Sequence, residues 1–184
     1  MTTAEQPTPA QLARREAALA QVRKYGDPVL RSRARPVAAV DAAVTAQIRA
    51  MTRLLEDAME AGLAAPQVGI LSRVFVYRLD AGEGLGPVRA LVNPELAWAS
   101  AETAVAEEGC LSIPGVWIAV ERPVAVRVRA LDASGYPVTI DAPAPESRFL
   151  QHELDHLDGV LTLDRASKAD RRAAMRALRG ARSR

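Results

Sequence analysis

The sequence is poor in thiols and imidazoles: its 184 residues include one cysteine and two histidines. A lone cysteine cannot form an internal disulfide, so nothing argues for an oxidising compartment. No apolar run approaches the ~20 residues of a membrane span, and the polar N-terminus has no signal-peptide core. These absences point to a cytoplasmic chain with no membrane partner. No internal repeat is present. Strands and helices do not alternate as βαβ units, which excludes a doubly wound parallel sheet. What is present is ordinary for a soluble globular protein: 49% apolar and 25% charged residues, in a chain long enough for one domain with a real core.

Both histidines fall in one stretch, Gln151-His152-Glu153-Leu154-Asp155-His156. On a helix, positions i and i+4 share a face one turn apart, so His152 and His156 can converge on one metal ion. Glu153 lies about 100° further round and can reach the reacting water without being a ligand. Pro143 and Pro145 suit the start of this helix and Gly159 its stop.

In chain order, residues 1–9 are polar and expected to be disordered, and residues 10–24 carry a short charged helical pattern. From Asp41, a suitable N-cap, apolar residues at Val44, Ile48, Met51, Leu55 and Ala58 predict an amphipathic helix ending near Gly62. Gly62 to Gly69 reads as a loop whose backbone approaches something closely. Strands are predicted at 73–77 and 88–96, with a flexible turn over 82–87 between them. A hairpin follows, built from Val124, Val126 and Val128, a turn at 132–135, and a return strand at 136–140. Strands clustered ahead of the metal-binding helix indicate an α+β fold.

A third ligand is needed for a catalytic metal site with an open fourth position. Cys110, within Glu107-Glu108-Gly109-Cys110-Leu111-Ser112-Ile113-Pro114-Gly115, is one candidate; Asp158 and Asp164 are others. No glutamate follows His156, and Thr162 stands where a third histidine would be required after Gly159.

Three blocks in this order resemble the bacterial-type peptide deformylases: Gly62-Leu63-Ala64-Ala65-Pro66-Gln67, Glu108-Gly109-Cys110-Leu111-Ser112, and Gln151 to His156. Flanking pieces are also similar, Tyr25-Gly26-Asp27-Pro28-Val29-Leu30, Arg122-Pro123 and Leu157-Asp158-Gly159-Val160-Leu161. Three ordered motifs are far more specific than one. The resemblance implies antiparallel sheets packed around a central helix that carries the H-E-x-x-H element, with a C-terminal helix. It divides the chain into an N-terminal extension (1–21), a catalytic domain (22–165) and a basic tail (166–184). It implies a hydrolase that removes the formyl group from the N-terminal formylmethionine of nascent polypeptides. It implies Fe2+ held by Cys110, His152 and His156, a donor set that would also take Zn2+, Ni2+ or Co2+. Gln67 and the Leu111 N–H match the family's donors to the formyl oxygen, and Gly62 and Gly109 match its substrate-binding positions.

Glu153 is then the proton-transfer group. Phe149, three residues before His152, is placed at the wall of the methionine pocket. One position departs from the family pattern: the first block usually begins Gly-x-Gly, whereas this chain has Glu60-Ala61-Gly62, so either Glu60 replaces the first glycine or the loop is locally shortened. Two alternatives remain. One is a zinc peptidase in which Asp158 or Asp164 replaces Cys110; the other is a catalytically weak ribosome-binding relative. Residues 165–184 hold eight Lys/Arg against Asp170, a net +7; the whole chain carries +2, so residues 1–164 carry −5. That asymmetry points to an anionic partner, and the ribosome rather than DNA fits a cotranslational enzyme.

Overall fold

The computed structural model of the chain describes residues 6–79 and 86–182, with side chains to residue 179. The disorder expected at residues 1–5, and most of the turn expected over 82–87, fall outside these. Thr8 and Pro9, grouped with the disordered residues, instead begin helix α1 (Pro9–Gln21). Thr8 Oγ1 accepts from the Gln11 N–H at 3.3 Å and Gln11 Oε1 accepts from the Thr8 N–H at 2.7 Å, so two donors that helix formation would strand are satisfied reciprocally. Helix α2 (Ala42–Ala58) starts on the predicted cap, with Asp41 Oδ1 accepting from the Val44 N–H at 2.9 Å. It ends at Ala58, four residues before the predicted stop, because Met59 turns left-handed.

Five strands form one antiparallel sheet in the order β1-β2-β3-β6-β7. They are β1 (Gly62–Ala64), β2 (Val74–Tyr77), β3 (Arg89–Ala99), β6 (Ala125–Leu131) and β7 (Pro137–Pro143). The stretch 62–69, expected as a loop, is in fact β1 followed by a 3-10 turn at Ala65–Val68. A second sheet pairs β4 (Thr103–Cys110) with β5 (Ile113–Pro123), and neither strand was expected. β4 has little apolar pattern because most of it faces solvent. β5 did carry a signal, with Val116, Ile118 and Val120 buried in alternation.

β2 shows how the layers are built. Val74 and Val76 pack with Met51, Leu54 and Leu55 of α2 and with Ala18 of α1. Phe75 and Tyr77, on the opposite face, pack with Leu150, Leu154 and Leu157 of helix α3 (Glu146–Leu157). Successive side chains of a strand point to opposite faces, so a strand with helices on both sides is apolar throughout. The Tyr77 hydroxyl, pushed up to about 12 by burial, donates to Glu146 Oε1 at 2.9 Å and ties the sheet to the start of α3. A third cluster joins β5 to the chain's end. Ile118 and Val120 meet Leu161, Leu163 of helix α4 (Thr162–Arg165) and Ala174 of helix α5 (Lys168–Arg182). The basic segment is thus docked along one face, with Ala174 only 6% exposed.

Two measurements check this architecture. Leu157→Ala should cost about 2–5 kcal/mol in urea denaturation, because the residue is fully buried. Val105→Thr, at a site 66% exposed, should stay within about 0.5 kcal/mol. At the C-terminal dock, burial would raise the Asp164 carboxyl, but hydrogen bonds from Arg31 and the Leu161 N–H hold it below its ordinary value. A carboxylate depressed in the folded state stabilises above its unfolded pKa of ~3.9, and that stability is lost as the pH falls. Asp164→Asn should therefore flatten the acid limb of the stability profile; an unchanged limb would exclude this contribution.

Candidate metal centre

Helix α3 presents His152 and His156 one turn apart, with ring centroids 4.9 Å apart and planes at 70°. Cys110 arrives from β4, where the pairing with β5 shifts register between Glu108 and Cys110; such an irregularity re-aims a side chain. Its Sγ lies 3.2 Å from His156 Nε2, and the ligand atoms of Cys110, His152 and His156 all fall within 4.8 Å of one another. The other candidate ligands are elsewhere. Asp158 accepts from Arg73 Nη1 at 2.7 Å and lies 3.4 Å from Arg33, and Asp164 is paired with Arg31. Both carboxylates serve surface ion pairs, which removes the ligand set required by a zinc peptidase lacking Cys110.

The electrostatics suit a cation. Burial alone would raise the Cys110 thiol, but the charge of His156 and hydrogen bonds to both imidazoles hold it well below its ordinary value. Burial would lower His152, yet contacts with Cys110 and Glu108 raise it well above the usual imidazole range. His152 Nδ1 sits 3.0 Å from Glu108 Oε2, which leaves Nε2 for a ligand bond. Beside them Glu153, 4% exposed, is raised by burial. Glu153 Oε2 and His156 Nδ1 are buried with no hydrogen-bond partner among the described residues. Buried polar atoms left unpartnered are costly. One thiolate, two imidazoles and an unpartnered carboxylate oxygen around one point fit a divalent cation with an open position.

Glu108 is held in turn by arginine. Arg122, 4% exposed, donates Nε and Nη2 to its two carboxylate oxygens at 2.6 and 2.9 Å, and Nη1 to Asp155 Oδ2 at 2.9 Å. Arg148 adds a bond to Glu108 Oε1 at 2.7 Å, and Arg165 closes the far end on Asp155 at 2.6 Å. Burial would raise Glu108, but hydrogen bonds from Arg122 and His152 keep it well below the carboxylate range. None of these roles was read from the sequence. Glu108 is the one buried residue of the solvent-facing β4, so no pattern announces it, and Arg122 continues the buried alternation of β5, a register that only the fold reveals.

Gln67 is 2% exposed. Its Oε1 accepts the Ala64 N–H at 2.8 Å, which orients Nε2 towards Ser112 Oγ at 3.3 Å and Cys110 Sγ at 3.8 Å. The segment Arg23–Tyr25 straps the two motif loops together. The Arg23 N–H donates to the Gln67 carbonyl at 2.7 Å, the Tyr25 N–H to the Ser112 carbonyl at 2.8 Å, and Lys24 Nζ to the Leu111 carbonyl at 3.1 Å. A Cβ at Gly62 would collide with the Glu153 carboxylate, so any other residue there would push Glu153 aside. Gly109 lies beneath the Trp117 indole, 3.2 Å from where a Cβ would stand. A cleft of about 920 Å³ opens onto this centre, lined by Gly62, Gly109, Leu111, Trp117 and Phe149 together with His152 and Glu153. Of the expected site residues, Gly62, Gly109, Cys110, Leu111, Phe149, His152 and Glu153 line the cleft, and His156 and Gln67 are buried against Cys110.

Residues 19–172 match the polypeptide deformylase family. A peptide deformylase of Thermotoga neapolitana is 46% identical over 151 residues, covering 82% of this chain and 89% of the relative. One from Parafrankia sp. is 44% identical over 160 residues, covering 87% and 85%. The crystal structure of a peptide deformylase from Synechococcus elongatus in complex with actinonin superposes with a TM-score of 0.79 at 38% identity, covering 85% of this chain and 84% of that one.

The arginine cluster makes a direct prediction. Arg122→Met removes the guanidinium between two buried carboxylates and should cost about 3–5 kcal/mol in chemical denaturation, as breaking one side of a buried ion pair does. Arg122→Lys should recover only part of this, since an ammonium cannot form the forked contact. A lysine variant as stable as the parent would show that charge alone, without geometry, holds the cluster.

Proposed function

The chain belongs to the polypeptide deformylase family, and from that premise we propose that it hydrolyses the formamide of N-formylmethionine at the start of newly made polypeptides. It is a metal-dependent hydrolase of protein biosynthesis. The observation that carries the reading is the convergence of Cys110, His152 and His156 beside a buried carboxylate and an oriented amide, with Cys110, His152 and Glu153 lining one cleft.

Cys110, His152 and His156 would hold the ion. A divalent cation there supplies Lewis-acid chemistry, making an oxygen nucleophile available at neutral pH. The reaction adds water to the formyl carbon and breaks its C–N bond, giving formate and a free amine. Glu153, raised by its burial, takes the proton of the attacking water and delivers it to the departing nitrogen. Negative charge grows on the formyl oxygen during attack. Gln67 Nε2, held in orientation by the Ala64 N–H, and the Leu111 N–H donate to it, each such donor being worth roughly 3–4 kcal/mol at the transition state. Gly62 makes room for the Glu153 carboxylate and Gly109 for the Trp117 indole, their backbones lining the cleft as substrate-binding positions, and Phe149 walls the methionine side chain.

The native ion is read as Fe2+. A thiolate with two imidazoles also binds Zn2+, Ni2+ or Co2+, so anaerobic metal analysis alongside the deformylation rate is the deciding measurement. No described helix is long and apolar enough to cross a membrane, and the reading places the enzyme in the cytoplasm. The ribosome is the proposed partner of α5, whose Lys168, Arg171, Arg172 and Arg176 are exposed.

Five outcomes test the assignment. Parent enzyme should turn over formyl-Met peptides; loss of metal should abolish turnover, and so should Cys110→Ala, which should also fail to retain the ion. Glu153→Gln should keep the metal and slow the reaction by about 10²–10⁴; a metal-loaded variant within a few-fold of the parent would make Glu153 structural. Deleting α5 would strip Ala174 from the core, so charge reversal is the cleaner probe of docking. Arg172→Glu with Arg176→Glu should leave peptide turnover intact but weaken cosedimentation with ribosomes, and parent binding should fall steeply with salt.

A further inference from the structure

Helix α1 stands beside the cleft. Arg15, Glu16, Leu19 and Ala20 line it, together with Glu60 and Gly62 from the far side of the α2–β1 connection. A cleft of about 920 Å³ is of the size that engulfs ligands much larger than one amino acid, so several residues of a peptide fit within it. The helix is held there by specific bonds. Arg15 Nη2 donates to Glu60 Oε1 at 3.0 Å, and Arg15 Nε to the Ala58 carbonyl at 3.2 Å. That carbonyl belongs to the last turn of α2, where a cation also meets the negative end of the helix dipole. Glu60 is itself fixed, its carbonyl accepting from Arg78 Nε at 2.9 Å. At the other end of α1, Lys24 Nζ bridges the Leu19 and Leu111 carbonyls at 3.0 and 3.1 Å. Arg15 precedes residues 19–172, which match the family, whereas Glu60 opens the Glu60-Ala61-Gly62 stretch, where the resembled motif usually has Gly-x-Gly. Glu60 and a helix that starts ahead of the family match are two halves of one contact.

We propose that α1 is an outer wall of the substrate cleft, positioned by the Arg15–Glu60 ion pair, and that it binds the residues of a formylated peptide beyond the first two. This inference rests on the deformylase reading and assigns Arg15 and Glu60 as positioning residues for extended substrates. Their side chains are 41% and 33% exposed, so the pair is weak by the standard of surface ion pairs and its effect on binding is small but readable.

The test compares formyl-Met-Ala with formyl-Met-Ala-Ala-Ala in the metal-loaded parent, Arg15→Ala, Glu60→Ala and the exchanged pair Arg15→Glu with Glu60→Arg. Each single variant should raise KM for the tetrapeptide about two- to fivefold while kcat holds. The exchanged pair should recover part of that loss, and KM for the dipeptide should move much less. Hydrogen exchange supplies a readout independent of turnover: the unformylated tetrapeptide should slow exchange in α1, and the dipeptide should not. Equal KM changes for both peptides, or a tetrapeptide that leaves α1 exchange unaltered, would overturn the proposal. A parent that turns over neither peptide would overturn the deformylase reading instead, and α1 exchange would still decide whether the helix meets the peptide.

Discussion

One buried guanidinium holds the site together. Arg122 reaches from β5 to Glu108 on β4 and to Asp155 on α3, and those two elements carry all three candidate metal ligands. Four charged groups, Arg122, Glu108, Asp155 and Arg148, are taken largely out of water here. Such burial is tolerated only when donors and acceptors are matched with good geometry. The fork of Arg122 supplies that match with two parallel bonds to one carboxylate. Its third nitrogen couples the small sheet to the helix. Metal geometry therefore rests on charge pairing one layer behind the ligands, and His152 is oriented by the same carboxylate that Arg122 restrains.

The apolar core serves that arrangement. α3 buries Leu150, Leu154 and Leu157 against one face of the five-stranded sheet, while α1 and α2 cover the other. A helix packed this way has little freedom to rotate, because its leucines interdigitate with Phe75, Tyr77 and Val128. The polar residues of the same helix then point in a fixed direction towards β4. Where the core ends, backbone bonds continue the work: the strap at Arg23–Tyr25 sets the Gln67 and Ser112 loops side by side. Rigidity at Gln67 and Leu111, the proposed donors to the formyl oxygen, is what electrostatic stabilisation demands, since a donor that must reorient gives up part of its advantage.

The N-terminal helix adds a different kind of constraint. Its one buried residue is Ala18, followed by Val22 just past its end, and polar bonds from Arg15 within it and Lys24 beyond it do much of the fastening. It is thus a peripheral wall on a rigid centre, the usual division between the part of a cleft that performs chemistry and the part that adapts to what enters.

Much was legible in the residues alone. The four-residue spacing of His152 and His156 required a helix to bring them together, and Asp41 with the stripe from Val44 to Ala58 predicted α2 to within a few residues. These are local signals, set by helical geometry and capping chemistry. The resemblance carried by three motifs placed Cys110 and Gln67 in the same site, and the structure brings them together. β4 was missed because most of it faces solvent and carries no periodicity to read, whereas the alternation at Val116, Ile118 and Val120 in β5 was there and went unread. Gly62 to Ala64 read as a loop because strand pairing with Tyr77 is a long-range contact that small side chains do not announce. The roles of Glu108, Arg122 and Asp155 could not be read from sequence, since a charged residue is buried or exposed according to partners that only the fold supplies. Asp158 and Asp164 made the same point in reverse: as letters they were candidate ligands, but tertiary structure had already given them to Arg73 and Arg31. The sequence by itself determined the donor chemistry and the helix that spaces two of the donors. Which carboxylates stand behind them, and that Arg15 meets Glu60 at the cleft, was decided by packing between elements far apart in the chain.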